Sequence, residues 1–148
     1  MKTLTEIVSS QQRTHLVKDC VRLVETEVSH KKGIPGAAIK TGVKILQAIN
    51  PKIVTDAVNM LLDEFIQAME PFYQSYRTAQ PRSANLKEHW LPQQAALANA
   101  LISVTDKRIE SAKNIVIKKT YKKLRPFGIQ HVEAAVPGIV GVLSSYVD

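Results

Sequence analysis

The stretch NPKIVTDAVNMLLDEFIQAME, Asn50 to Glu70, decides the fold class of this chain. Ile53, Val54, Ala57, Val58, Leu61, Leu62, Phe65 and Met69 recur at steps of three and four, which lays a wide apolar face along an α-helix. Such a helix belongs at the centre of a core, with Leu61 and Phe65 expected among its heaviest contributors. Asn50-Pro51 marks its start, because Asn accepts from orphan backbone amides as an N-cap and Pro at the first helical position gives up a donor that would be unpaired anyway. Pro71 is expected to kink or end it.

Working outward, helical spacing recurs on both sides. Leu4, Ile7 and Val8 predict a short first helix, with SSQQRT (Ser9 to Thr14) as a break or a polar surface stretch and Thr14 as a cap. Leu16, Val17, Cys20, Leu23, Val24 and Val28 predict a second helix to about Ser29. Gly33-Ile34-Pro35-Gly36 reads as a C-terminal glycine followed by a type II turn, before a third helix through Val43, Leu46 and Ile49. Thr78 to Asn85, TAQPRSAN, is the expected exposed loop. A further helix runs through Trp90 to about Val104, then a basic helix capped by Thr105 or Asp106 and ended by Arg125-Pro126-Phe127-Gly128. Two short helices separated by Pro137 finish the chain. No alternating strand pattern and no internal repeat is visible. The fold class is therefore all-α, a compact single-domain bundle of six or seven helices over residues 1–148.

Composition narrows the function classes. With 148 residues, 45% hydrophobic and 22% charged, the chain can bury a core without a disulfide or structural metal. Its single cysteine, Cys20, falls on an apolar face and reads as a buried thiol. The N-terminus lacks the apolar run of a secretory signal. The longest apolar run, Ala134 to Leu143, is interrupted by Pro137 and is about half the ~20 residues that span a bilayer. A cytoplasmic protein without a transmembrane segment is expected. Aromatics make up only 5%, which leaves few platforms for stacking bases.

Charge is concentrated in TDKRIESAKNIVIKKTYKKLR, Thr105 to Arg125. Lys107, Arg108, Lys113, Lys118, Lys119, Lys122, Lys123 and Arg125 face only Asp106 and Glu110, so this stretch holds nearly the whole formal net charge of +7. As one helix it places Lys107, Lys118, Lys122 and Arg125 on a common stripe that could follow a polyanion. Lys31, Lys32 and Lys40 flank the glycine turn and form a second candidate anion site. The competing readings are a merely solvated basic face and a glycine turn needed only for its geometry.

Other constellations are incomplete. Glu27-Val28-Ser29-His30 has the Glu-x-x-His spacing of dimetal bundles but no second copy, and His15, His89 and His131 are scattered, so no metal and no cofactor is expected. Asp63-Glu64 diverge around a helix. No Walker A ending and no nucleophile elbow is present.

The segments Glu27 to Gly42, Leu61 to Phe65, Met69 to Tyr73 and Thr105 to Gly138 resemble a small bacterial family of uncharacterised helical proteins of about this length. The resemblance spans most of the chain and implies a complete single domain, with no activity, ligand or catalytic residue attached. The expected function is a non-enzymatic binding module for an anionic partner, nucleic acid or an acidic surface. The alternative is a protein-interaction or structural module, with a protein partner or a second copy of the chain in place of the polyanion.

Overall fold

The computed structural model describes residues 3–8, 10–81 and 83–147, and among these there is no strand. Seven α-helices follow in order: α1 Leu4–Ile7, α2 Ser10–His30, α3 Gly33–Ile49, α4 Ile53–Thr78, α5 Leu86–Trp90, α6 Gln94–Ile109 and α7 Ile115–Val147, with a 3₁₀ turn over Leu91–Gln93 before α6. The all-α expectation holds. The two longest helices, α4 and α7, organise the bundle, since α1, α2, α3, α5 and α6 each pack against both.

On α4 the buried side chains are Leu62, Ile66, Met69, Tyr73 and Tyr76, spaced at four, three, four and three residues along one face. Leu61 and Phe65, expected to be central, are only half-buried. The helix is the hub that its apolar content predicts, but its inward face is rotated toward Leu62 and Ile66. Leu16 from α2, Trp90 from α5, Leu97 from α6 and Val136, Val140 and Leu143 from α7 complete the core cluster.

Side-chain hydrogen bonds fix the ends of the elements. Lys52, not Asn50, is the cap of α4, and Pro51 is not its first helical residue; Asn50 stands two residues before the cap, its Oδ1 accepting from the Lys52 amide and its Nδ2 donating to Asp56. Asn85 Oδ1 accepts from Glu88 N at 2.9 Å and the Glu88 carboxylate accepts from the Ala84 amide, so the two side chains cap the start of α5 together. The Leu4 amide donates to the Glu70 carboxylate and pins the N-terminal turn to α4. Trp90 Nε1 donates to the Phe72 carbonyl, so the fully buried indole keeps its one donor satisfied.

Four sequence expectations are corrected. Thr14 lies inside α2, not at its cap. Pro35 and Gly36 lie in the first turns of α3, not in a type II turn; it is Gly33, at φ +73°, that makes the reversal after α2. Pro71 does not end α4, and Pro126 and Pro137 do not end α7. All three prolines are exposed, so the carbonyl each leaves unpaired one turn earlier faces the solvent side of its helix. Pro126 and Pro137 are eleven residues apart, about three turns, and so fall on the same outer face. Finally, the basic stretch is not one helix. α6 runs through Thr105 and Asp106 to Ile109, and a turn precedes α7, whose first amides Val116 N and Ile117 N donate to Asn114 Oδ1.

By length and composition α7 is long and apolar enough to cross a membrane. Its buried residues Thr120, Val136, Val140 and Leu143 face the other helices of the bundle. The exposed TAQPRSAN loop is found where expected, Arg82 lying outside the described residues.

Candidate functional site

The break after α6 folds the basic stretch into a corner. Arg125 Nε donates to Asp106 Oδ1 at 2.8 Å and Oδ2 at 3.1 Å, and the Tyr121 hydroxyl donates to the same carboxylate. Thr105 Oγ1 lies 2.8 Å from the Tyr121 oxygen. The Arg125 hydrogen bond holds the Asp106 carboxyl below its ordinary range, and Asp106 in turn raises the Arg125 guanidinium. Burial, then the Asp106 hydrogen bond, pushes the Tyr121 phenol up to about 12. Arg108 is likewise engaged, its Nη2 standing 2.8 Å from Glu64 on α4.

These pairs remove the two arginines from the free charge and leave the lysines. Lys107, Lys113, Lys118, Lys119, Lys122 and Lys123 are exposed, and none has a carboxylate partner among the described residues. Beside them at the start of α7, Ile115 is 66% and Val116 47% exposed. Lys118, Lys122 and Arg125 line a shallow groove of about 530 Å³ whose other wall is Ile109 and Glu110 at the end of α6. Of the predicted stripe, the structure keeps Lys118 and Lys122 together as free charges, gives Arg125 to Asp106, and puts Lys107 on the other helix.

The second predicted cluster does not form a phosphate cradle. Gly36 N already donates to Lys32 O at 3.2 Å, and a Cβ at Gly36 would come within 2.6 Å of the Lys31 carbonyl carbon, so the glycine is used by chain packing. Lys31 Nζ sits 3.3 Å from Glu27 Oε2. Lys32 is exposed. Lys40 lines a separate pocket with Lys44 between α2 and α3. Of the seven predicted positions, Lys118, Lys122 and Arg125 thus share one groove, while Lys107, Lys31, Lys32 and Lys40 lie outside it.

Glu27 turns to Lys31, away from the exposed His30 that the Glu-x-x-His spacing paired it with. No group of three or more His, Cys, Asp or Glu converges among the described residues.

A feature invisible in the sequence is a partly open cleft. Residues of α2, α3, α4, α6 and α7 line this almost wholly apolar space of about 310 Å³, with Leu23, Phe65, Leu101 and Val132 among its walls. Phe65 faces this space, which accounts for its half-buried ring. Glu27, Lys31, Thr105 and His131 are its polar lining residues. His131 Nε2 is buried with no hydrogen-bond partner, a state that costs about 1–3 kcal/mol. Desolvation, then the Lys31 charge, lowers the His131 pKa and favours its neutral form. Sequence reading passed over His131 as a scattered histidine; the available signal was its place four residues before Ala135 on the apolar face of α7.

A family model matches residues 4–147. The chain belongs to that family, described as a family of unknown function (DUF6918). No curated protein and no solved structure matches the chain.

Proposed function

We propose that this protein is a non-enzymatic binding module that docks on an acidic surface through the α6–α7 corner, and that the surface is an anionic membrane face. The observation that supports it is the juxtaposition of exposed Ile115 and Val116 with the unpaired Lys113, Lys118 and Lys119. Two aliphatic side chains at the head of a helix, rimmed by lysines, suit the boundary between lipid headgroups and acyl chains. A nucleic-acid backbone would use the same lysines but has no apolar layer to receive Ile115 and Val116. Asp106, Tyr121 and Arg125 are engaged with one another and the lysines are left exposed, which favours binding over chemistry. A cytoplasmic setting goes with this reading, because anionic lipid draws basic segments to the cytoplasmic leaflet.

Vesicle co-sedimentation tests it. Binding is expected to phosphatidylcholine vesicles containing phosphatidylglycerol and not to phosphatidylcholine alone, weakening with salt. At about 1 kcal/mol per lysine near the surface, Lys118→Glu/Lys122→Glu should weaken binding by roughly 30-fold or more. Ile115→Ser/Val116→Ser should weaken it at unchanged charge. Absence of sedimentation overturns the proposal in favour of a solvated basic face. Tight retention on duplex DNA that ignores the Ile115→Ser/Val116→Ser change overturns it in favour of nucleic acid.

A further inference from the structure

The apolar cleft has two properties that belong together. Its walls are apolar, and several residues that line it, Leu23, Phe65, Val132 and Ile139, are only half-buried. Among its polar lining residues one atom is unsatisfied. Thr105 donates its hydroxyl to Ile102 O, and Lys31 is paired with Glu27, whereas His131 Nε2 has no hydrogen-bond partner among the described residues.

On either side of His131, α7 packs closely on its neighbours through two glycines. A Cβ at Gly138 would meet the end of the Leu23 side chain, and a Cβ at Gly128 would come within 2.5 Å of the end of the Ile102 side chain. The margins of the cleft are therefore contacts between glycine backbone on α7 and side-chain ends from α2 and α6.

The geometry points to a binding site for a small aliphatic molecule, an acyl or alkyl chain of about ten carbons whose single oxygen-bearing head, a hydroxyl or a carboxyl, pairs with His131 Nε2. The size follows from the volume, which is at the lower end of ligand pockets and would hold about ten waters or as many methylenes of similar bulk. The head follows from the orphan nitrogen. A hydroxyl both donates and accepts, so it satisfies either neutral tautomer of His131; a carboxylate needs Nε2 as donor and also meets Lys31, in competition with Glu27. A polar or multiply charged ligand finds no further partners among the wall residues. This inference stands on the cavity alone and does not depend on the acidic-surface reading.

Isothermal titration of the intact protein with 1-decanol and with decanoate tests it, alongside labelling of Cys20, the chain's single cysteine and a wall residue. Saturable one-to-one binding of at least one probe is expected, with slower Cys20 labelling when it is bound. His131→Phe, which keeps the bulk and removes the nitrogen, should weaken that probe about tenfold. Lys31→Met should weaken decanoate and spare 1-decanol if the carboxyl is the natural head, and affect neither if it is the hydroxyl. Ala135→Trp, which fills the space, should abolish binding while the helical circular dichroism is retained. Failure of both probes to bind the wild-type protein and to protect Cys20 overturns the proposal, whether or not the filled variant folds. So does undiminished binding by a folded Ala135→Trp protein.

Discussion

The Tyr121 hydroxyl donates to the Asp106 carboxylate across the turn between α6 and α7, and Arg125 donates to the same group from one turn further along α7. One carboxylate thus gathers a phenol and a guanidinium from a helix that follows it after a sharp reversal. Asn114 caps α7 after the reversal, and this contact joins the two helices on its far side. Arg125, which the sequence places on a polyanion stripe, is in the structure a tie between helices.

This tie makes stability depend on pH at both ends of the scale. Asp106 titrates below its ordinary 3.8 in the folded protein, so its contribution is present above that pH and is lost as pH falls through the lowered value. Tyr121 titrates at about 12 against 10.0, so its contribution is complete below pH 10 and is lost as pH rises through about 12. Asp106→Asn should lower the urea midpoint at neutral pH, and the difference from wild type should vanish in strong acid. Tyr121→Phe should cost about 1 kcal/mol.

Truncation should rank the core by inward direction and not by sequence hydrophobicity. Leu62→Ala is expected to cost roughly 2–5 kcal/mol and Trp90→Ala roughly 3–5 kcal/mol, because both are buried in the main cluster. Leu61→Ala, half-buried, should cost clearly less than Leu62→Ala. Urea midpoints of the three variants check the order.

Two glycine substitutions should move stability in opposite directions. At Gly36 an added Cβ meets the Lys31 backbone, which cannot swing aside, so Gly36→Ala should destabilise by about 1–3 kcal/mol. At Gly141, inside α7, nothing lies within 4 Å, and Gly141→Ala should stabilise by about 0.5–1 kcal/mol through helix propensity. Thermal melts of the pair suffice.

Charge reversal and charge removal in the basic corner should separate binding from stability. Lys118→Glu/Lys122→Glu should weaken sedimentation with acidic vesicles by roughly 30-fold or more at nearly unchanged melting temperature, since neither lysine has a carboxylate partner among the described residues. Arg125→Ala should lower the melting temperature and leave more of the vesicle binding intact.

Cys20 should label slowly. Burial, then the Asp19 charge, pushes its thiol from 9.0 up to about 11, which lowers the thiolate fraction below pH 9 by roughly 100-fold. Iodoacetamide should modify the native protein far more slowly than the urea-unfolded chain, and equal rates would contradict the burial.

The helices themselves were legible because their signals are local. The apolar spacing of Ile53 to Met69 and the loop from Thr78 to Asn85 each depend on residues within a turn or two of one another, whereas the start of α4 falls at Ile53, two residues beyond the Asn50-Pro51 boundary read from the sequence. The concentration of lysines at the start of α7 is likewise a property of the string. The prolines were misread because their effect depends on which side of the helix meets water, and only the packed bundle shows that Pro71, Pro126 and Pro137 all face outward. The fate of Arg125 was decided by Asp106, nineteen residues earlier and on another helix. The cavity beside His131 is further still from local reading. It is the space left when side chains from five helices meet, and no single stretch of sequence carries the difference between the volume they enclose and the volume they fill.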